Sequence, residues 1–289
     1  MLGAVPRVKN SWELAKVSWS VLRSDKTLAV FPFLSALFGL LVVGVVAGLT
    51  AVTGVNHGAH GSLKDMGYVF IVAGYVALAF VSTYFLAALV HAANEALEGR
   101  RADVASCFRA ANDRLHRLLP WAIVQASVSL VVQALESQRF VGQIIAALIG
   151  TAWAVLTFLS VPIIMLEDLG PIHALKRSGA LLRSTWGENL SAQFGFGLFG
   201  LFAMLPGIFV IAIGAASAST AVVVVTAALG VAWIVVVSLA VSALTGIYRT
   251  ALYRFAVDGT APPAFAGADL AHALGPRRGP SGFGGFSNN

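Results

Sequence analysis

The sequence predicts an all-α membrane protein: a polytopic bundle of six transmembrane helices with three short amphipathic helices in the interface on the cytoplasmic side. Three observations carry that expectation. Hydrophobic residues make up 58% of the 289 and charged residues only 11%, against roughly one quarter charged in a soluble domain, and mean hydropathy is +0.83. The apolar residues fall into six blocks, each at or above the ~18 residues that read as a membrane span. The basic residues are shared very unevenly among the connections. The blocks do not alternate, which excludes a membrane β-barrel.

The stretch SWELAKVSWSVLRS (11–24) comes first. Projected at 100° per residue, it puts Trp12, Ala15, Trp19 and Leu22 on one stripe, flanked by Lys16 and Arg23. Apolar blocks follow at 28–54 and 67–93. The first begins after Thr27 and is too long for the core of a signal peptide, so it is expected to remain as a span. At ~1.5 Å per residue such a block rises about 40 Å, enough to cross with tilt. A second amphipathic stretch, CFRAANDRLHR (107–117), carries Arg109, Leu115 and His116 and leads into blocks at 118–136 and 140–166. The third, 171–186, aligns Ile172, Leu175, Gly179, Leu182 and Trp186, with Lys176 and Arg183 beside them. Pro171 suits its first turn, and Asp168 just ahead complements the helix dipole. Blocks at 190–216 and 219–247 complete the set.

Shifted by 160 residues, Lys16, Ser18, Leu22, Arg23 and Ser24 coincide with Lys176, Ser178, Leu182, Arg183 and Ser184. The chain therefore reads as one membrane domain over 1–275, built from three helix-plus-hairpin units of about 1–99, 100–170 and 171–259. The second, fourth and sixth blocks run out into acidic, glycine-containing exits at Glu98-Gly99, Asp168-Leu169-Gly170 and Asp258-Gly259, where a helix is expected to stop. Residues 276–289 are a Gly-rich tail expected to be flexible. The lone Cys107 excludes an internal disulfide.

Orientation follows from charge. The connections at 55–66 and 137–139 carry Lys64 and Arg139, and the other 17 of 19 basic residues fall on the opposite side. This positive-inside asymmetry places both termini in the cytoplasm and the chain in the inner (plasma) membrane. The net charge of +6 reads as attraction to anionic headgroups, since no nucleic-acid-binding motif accompanies it.

The run Pro162-x4-Glu167-x2-Gly170-x3-Ala174-Leu175-x2-Ser178-x3-Leu182 resembles a signature of a loose group of six-span bacterial membrane proteins of uncharacterised function. That group includes the membrane domain fused to some glycerophosphodiester phosphodiesterases. The resemblance implies a helical membrane domain without an established activity. Beside six spans the chain leaves no room for the soluble phosphodiesterase barrel, so that chemistry is not expected here.

Motifs of catalysis are sparse. Gly195-x-Gly197-x-x-Gly200 lies inside a span without a preceding strand, so it reads as close helix packing, as does Gly44-x3-Gly48. His57 and His60 near Asp65 form too small a set for a metal site, and no cofactor signature is present. No nucleophile has a recognisable base, so no catalytic site is assigned. Trp153 and Trp233 read as core, and Trp12, Trp19, Trp121 and Trp186 as interfacial anchors. Gln125, Gln133, Gln143 and Gln193 are the deep polar residues, suited to interhelical hydrogen bonds.

Two constellations remain. His91, Asn94, Glu95 and Glu98 share a helix face, and Arg249 and Arg254 on the last span are expected to supply an arginine partner for Glu95 or Glu98. Lys16, Arg23, Arg109, His116, Lys176 and Arg183 are expected to form a basic collar contacting anionic lipid. These features favour a lipid-interacting, scaffold or accessory membrane protein with a possible membrane or cytoplasmic protein partner. The alternative is a transporter or channel for a small molecule, lipid or ion.

The topology is directly testable. In a His60→Cys variant the new thiol should label with an impermeant maleimide from outside, and in Asn112→Cys it should be protected. Labelling of position 112 from outside would overturn the assignment.

Overall fold

The computed structural model describes residues 16–52, 62–137, 140–186, 195–217 and 219–265, and these are helices and short connections with no strand among them. Residues 16–24 form α1. The chain then turns at Asp25, whose carboxylate accepts the Thr27 N–H at 3.0 Å and so caps α2 (Thr27–Val52). After α3 (Ser62–Leu97) come α4 (Val104–Asp113), α5 (Leu115–Glu136), α6 (Phe140–Leu156) and α7 (Ser160–Glu167). They are followed by α8 (Pro171–Trp186), α9 (Gly195–Ala215), α10 (Thr220–Asp258) and a 3₁₀ turn at Pro263–Phe265.

Five stretches among the described residues are long and apolar enough to cross a membrane: Thr27–Val52, Gly67–Leu97, Leu115–Glu136, Val141–Glu167 and Thr220–Asp258. A further apolar helix, α9, has 21 residues. Large apolar side chains such as Leu40, Val69, Leu148, Phe209 and Val236 are exposed along these helices. That surface is costly in water and suited to hydrocarbon. The chain is a helical membrane protein.

The buried core sits toward one end of the bundle. It takes the last turns of α3 and α10, the first turns of α2 and α5, all of α7 from Ser160 to Met165, and the inner faces of α1, α4 and α8. Cys107 lies in it, and burial pushes its thiol up to about 11, so it stays protonated near neutral pH.

The fourth span is interrupted. Pro162 has no N–H to offer the Phe158 carbonyl four residues back, and its ring crowds that carbonyl, so the helix breaks over 157–159 and restarts as α7. Ser178 of α8 accepts the Leu159 N–H at 3.3 Å. The break carries the chain from the exposed perimeter, where Val141 and Leu148 lie, into the core.

Several sequence expectations shift. The buried face of α1 is Ser18, Val21 and Leu22, with Trp19 exposed. That of α8 is Ala174, Ser178, Leu181 and Leu182, while Ile172 is 65% exposed. The reason is that these faces dock on protein, which accepts a small serine, whereas the sequence projection sought the most apolar stripe. Leu115 and His116 belong to α5 and not to the short helix before it. Trp121 is no interfacial anchor: it is fully buried and stacks on Trp153 at 6.2 Å. Trp233 is not core: it is exposed and donates to the Ala203 carbonyl at 3.0 Å. Trp12, His57, His60, Gln193 and the tail lie outside the described residues.

Glycine packing also moves. A Cβ added at Gly44 or Gly48 would meet nothing within 4 Å, so among the described residues no helix approaches closely there. The close approach is at Gly207 and Gly230, where a Cβ on either would come within 2.9 Å or 2.6 Å of the other's carbonyl oxygen. This lets the backbones of α9 and α10 touch. Gln125 accepts from Trp153 Nε1 at 2.6 Å, and Gln133 Nε2 lies 2.6 Å from the Tyr75 hydroxyl, so both glutamines bridge helices.

Gly230→Ala should therefore destabilise the protein by about 1–3 kcal/mol, the usual range for overpacking, whereas Gly44→Ala should be neutral or slightly stabilising. Thermal unfolding of the two variants in detergent checks the contrast, and equal melting temperatures would remove the Gly207–Gly230 contact as a packing determinant.

Candidate functional site

The site is built where helices end. At the end of α3, Gly99 takes φ 78°, the Arg100 N–H returns to the Glu95 carbonyl at 3.0 Å and the Gly99 N–H to Ala96 at 3.1 Å. This is a Schellman closure, which requires a residue comfortable in the left-handed region. It swings the Arg100 side chain back over the helix it has just left. There it clasps Glu95 through two hydrogen bonds of 2.6 and 2.7 Å and also pairs with Glu98. Glycine also takes the left-handed conformation at the end of α10, where Gly259 has φ 71° and its N–H meets the Phe255 carbonyl at 3.0 Å. At the third such exit Asp168, and not Gly170, takes the positive φ, at 53°.

Arg254 joins α10 to α3. Its guanidinium donates to Asn94 Oδ1 at 2.8 Å and to Glu98, while its Nε reaches Asp258 at 3.2 Å. The Arg254 and Arg100 guanidiniums hold the Glu98 carboxyl below the usual glutamate range. Arg249 does not join this group. It lies five residues, about 7.5 Å of helix, further in, and its guanidinium sits 4.9 Å from the Phe158 ring. His91 is half-buried and makes no hydrogen bond among the described residues.

The same layer continues around the bundle through pairings that the sequence does not reveal. Tyr253 donates to Glu167 at 3.0 Å, and Arg177 of α8 pairs with that carboxylate at 3.2 Å. The Asp168 carboxylate lies 3.3 Å from Arg114 and 3.5 Å from Arg117. Asp25 accepts the Ala102 N–H at 3.3 Å, tying the α1–α2 turn to the α3–α4 connection. The available sequence signals were Gly99 before Arg100, and the acids placed at helix exits. Which exits become neighbours is a tertiary fact.

All six collar residues are exposed: Lys16 and Arg23 on α1, Arg109 on α4, His116 on α5, Lys176 and Arg183 on α8. Arg23 rests over the Trp19 ring at 5.6 Å, and Arg109 lies 4.0 Å from Asp103. Lys176 and Arg183 form no ion pair among the described residues. Chemically, the layer holds helix ends together and presents cations outward. Its carboxylates, Asp25 apart, are engaged by arginines, and no group of three His, Cys, Asp or Glu able to hold a metal occurs among the described residues.

The chain belongs to a family of unknown function (DUF6159), whose model matches residues 65–263, from α3 to the start of the final 3₁₀ turn. No curated protein and no solved structure matches it. The comparisons thus give no link to the membrane domain of the glycerophosphodiester phosphodiesterases suggested by the run from Pro162 to Leu182.

The lowered Glu98 carboxyl sets a pH dependence. Its ion pairs contribute fully above the ordinary glutamate value of about 4.3, and the contribution is lost as pH falls through the lowered value. Thermal stability should be insensitive to Glu98 between pH 7 and about 5 and decline below about 4. Glu98→Gln should be less stable at neutral pH and show a smaller acid decline. Superimposable wild-type and variant profiles would show that Glu98 does not tie the two helices.

Proposed function

We propose that this protein is a multi-pass component of the bacterial inner (plasma) membrane that acts as a lipid-interacting scaffold or accessory protein. It would cross six times, with α9 as the fifth span in chain order and both termini in the cytoplasm. Twenty-one residues in α9 cover about 31 Å, matching the ~30 Å hydrocarbon core.

The observation that carries this reading is a set of exposed cations outside a layer of arginines that pair with carboxylates. The acids at the polar end are engaged by Arg100, Arg114, Arg117, Arg177 and Arg254. All six collar residues are exposed, and two of them, Lys176 and Arg183, form no ion pair among the described residues. Exposed cations beside an anionic surface contribute ~1 kcal/mol each, so the collar suits contact with headgroups or an acidic protein partner at the cytoplasmic face. The repeat is supported in two of its three units, since Ser18, Val21 and Leu22 are buried on α1 as Ser178, Leu181 and Leu182 are on α8.

One observation favours the transporter alternative: interrupted spans such as α6–α7 often mark ligand sites in permeases. Here, however, the Leu159 N–H at the break is taken by Ser178, so protein and not an open cavity satisfies it.

The test is reversal of charge on α8. Lys176→Glu with Arg183→Glu should lower the anionic lipid that co-purifies in detergent several-fold, since two attractions of ~1 kcal/mol become repulsions. Both side chains are exposed, so folding should be preserved. Unchanged lipid content would leave these residues as topology signals only.

A further inference from the structure

Four arginines among the described residues are half-buried, and three of them, Arg114, Arg117 and Arg254, pair with carboxylates. Arg249 does not. Its Nε is shut off from solvent without a hydrogen-bond partner, and no ion pair or hydrogen bond reaches the guanidinium among the described residues. The Phe158 ring at 4.9 Å is its visible partner. An arginine stays charged at any physiological pH, and a half-buried charge with one nitrogen shut off from solvent is stabilised by a counter-ion.

Arg249 lines a cavity of about 300 Å³ between α2, α3 and α10, together with the hydroxyls of Ser35, Ser82, Ser242 and Thr245. Two of these hydroxyls are committed, Ser82 to the Leu78 carbonyl at 2.8 Å and Thr245 to Val241 at 2.7 Å. Ser35 and Ser242 have no hydrogen-bond partner among the described residues and are free to donate. One guanidinium and two free hydroxyls, with no carboxylate in the lining, complement an anion and repel a cation. Leu86 and Leu89 form an apolar wall, and Gly246 leaves room for it: a Cβ there would fall 2.4 Å from Leu89.

Depth and access indicate the source of the anion. Arg249 is nine residues before the end of α10, and α10 has 39 residues, about 58 Å against a hydrocarbon core of ~30 Å. A centred α10 puts Arg249, about 13 Å from its end, at the hydrocarbon boundary. Ser82 and Ser242 are exposed, so the cavity opens sideways on the apolar flank, where Leu37 and Phe38 of α2 also lie exposed. What reaches that opening in a bilayer is lipid.

We propose that this crevice is a discrete binding site for a phosphate-type anion, supplied by the headgroup of an anionic phospholipid entering from the adjacent leaflet. Arg249 is the charge partner, and Ser35 and Ser242 are donors to the phosphate oxygens. The acyl chains lie along the exposed faces of α2 and α3. The site is separate from the collar: it holds one molecule by hydrogen bonds, where the collar would attract many by charge, and it does not depend on the collar reading.

Native mass spectrometry of the full-length protein with phosphatidylglycerol, phosphatidylcholine or inorganic phosphate tests it. One phosphatidylglycerol should be retained after loosely held lipid is stripped, phosphatidylcholine should not, and millimolar phosphate should not displace it. Arg249→Gln should weaken that single binding event tenfold or more, and Arg249→Lys less. The double variant Ser35→Ala, Ser242→Ala, which removes no charge, should weaken it several-fold and serves if Arg249→Gln folds poorly. Reversal of Lys176 and Arg183 should leave it intact, which separates failure of the collar from failure of this site. Phosphate binding with the same Arg249 dependence would keep the anion site and overturn lipid as its source. Equal phosphatidylglycerol retention by wild type, Arg249→Gln and the double-serine variant would overturn the proposal.

Discussion

The pairing of helix ends through arginine and carboxylate is the constraint on which the rest of the arrangement depends. Arg254 reaches from α10 to Asn94 and Glu98 on α3, Tyr253 reaches from α10 to Glu167 at the end of α7, and Asp168 lies against Arg114 and Arg117 at the start of α5. Each contact is partly exposed, so each adds little stability, ~0–1 kcal/mol for a surface pair. Their effect is on position. A lone charge near a low-dielectric boundary is costly, so sliding one helix past another by a turn would strand several charges at once. Apolar faces in lipid give no comparable penalty, because hydrocarbon solvates leucine as well as another helix does. Helix ends therefore fix the register that side-chain burial within the membrane leaves loose.

This explains why the core is one-sided. Close packing develops where register is fixed, around α7 and the last turns of α3 and α10. Away from that end, contact relies on small residues. Gly207 and Gly230 bring α9 and α10 together, and Gly74 receives Val46 between α2 and α3. The break before Pro162 follows the same logic. A straight fourth span would stay on the perimeter, with no element to fill the centre of the polar end. Interrupting it turns Val161, Ile163, Ile164 and Met165 inward, and Ser178 satisfies the backbone N–H that the turn exposes.

Much of this was legible in the sequence, and the reasons for the rest are specific. Run length reveals spans because lipid demands continuous apolar surface, and Gly99 and Gly259 mark exits because few residues accept positive φ. The interruption had a visible cause in Pro162, but within an apolar run a proline does not say whether the helix bends or stops. The faces of α1 and α8 were misjudged by about one residue because they pack on protein, where Ser18 and Ser178 are acceptable, and not on lipid. Gly44 and Gly48 show the limit of motif reading: the spacing permits close approach, but among the described residues nothing lies within 4 Å of where a Cβ would be. Partners such as Arg254 for Glu98 could be named by charge and depth, yet Arg100 was overlooked because its role depends on the Schellman turn and not on a periodic face.

The basic residues finally sort themselves by what surrounds them. Where a carboxylate is within reach, as for Arg100 or Arg254, the arginine is structural and its loss would be felt in the register of the helices. Where only solvent surrounds it, as for Lys176 or Arg183, the charge is available to whatever lies outside, and one cation can substitute for another. Arg249 fits neither class: it is half-buried, with its Nε shut off from solvent, and no carboxylate reaches it among the described residues. A replacement by glutamine or leucine would satisfy packing in a bundle that needed nothing more, because neither carries a charge to compensate. Keeping an arginine beside Ser35 and Ser242 makes physical sense where the missing counter-ion comes from outside the chain.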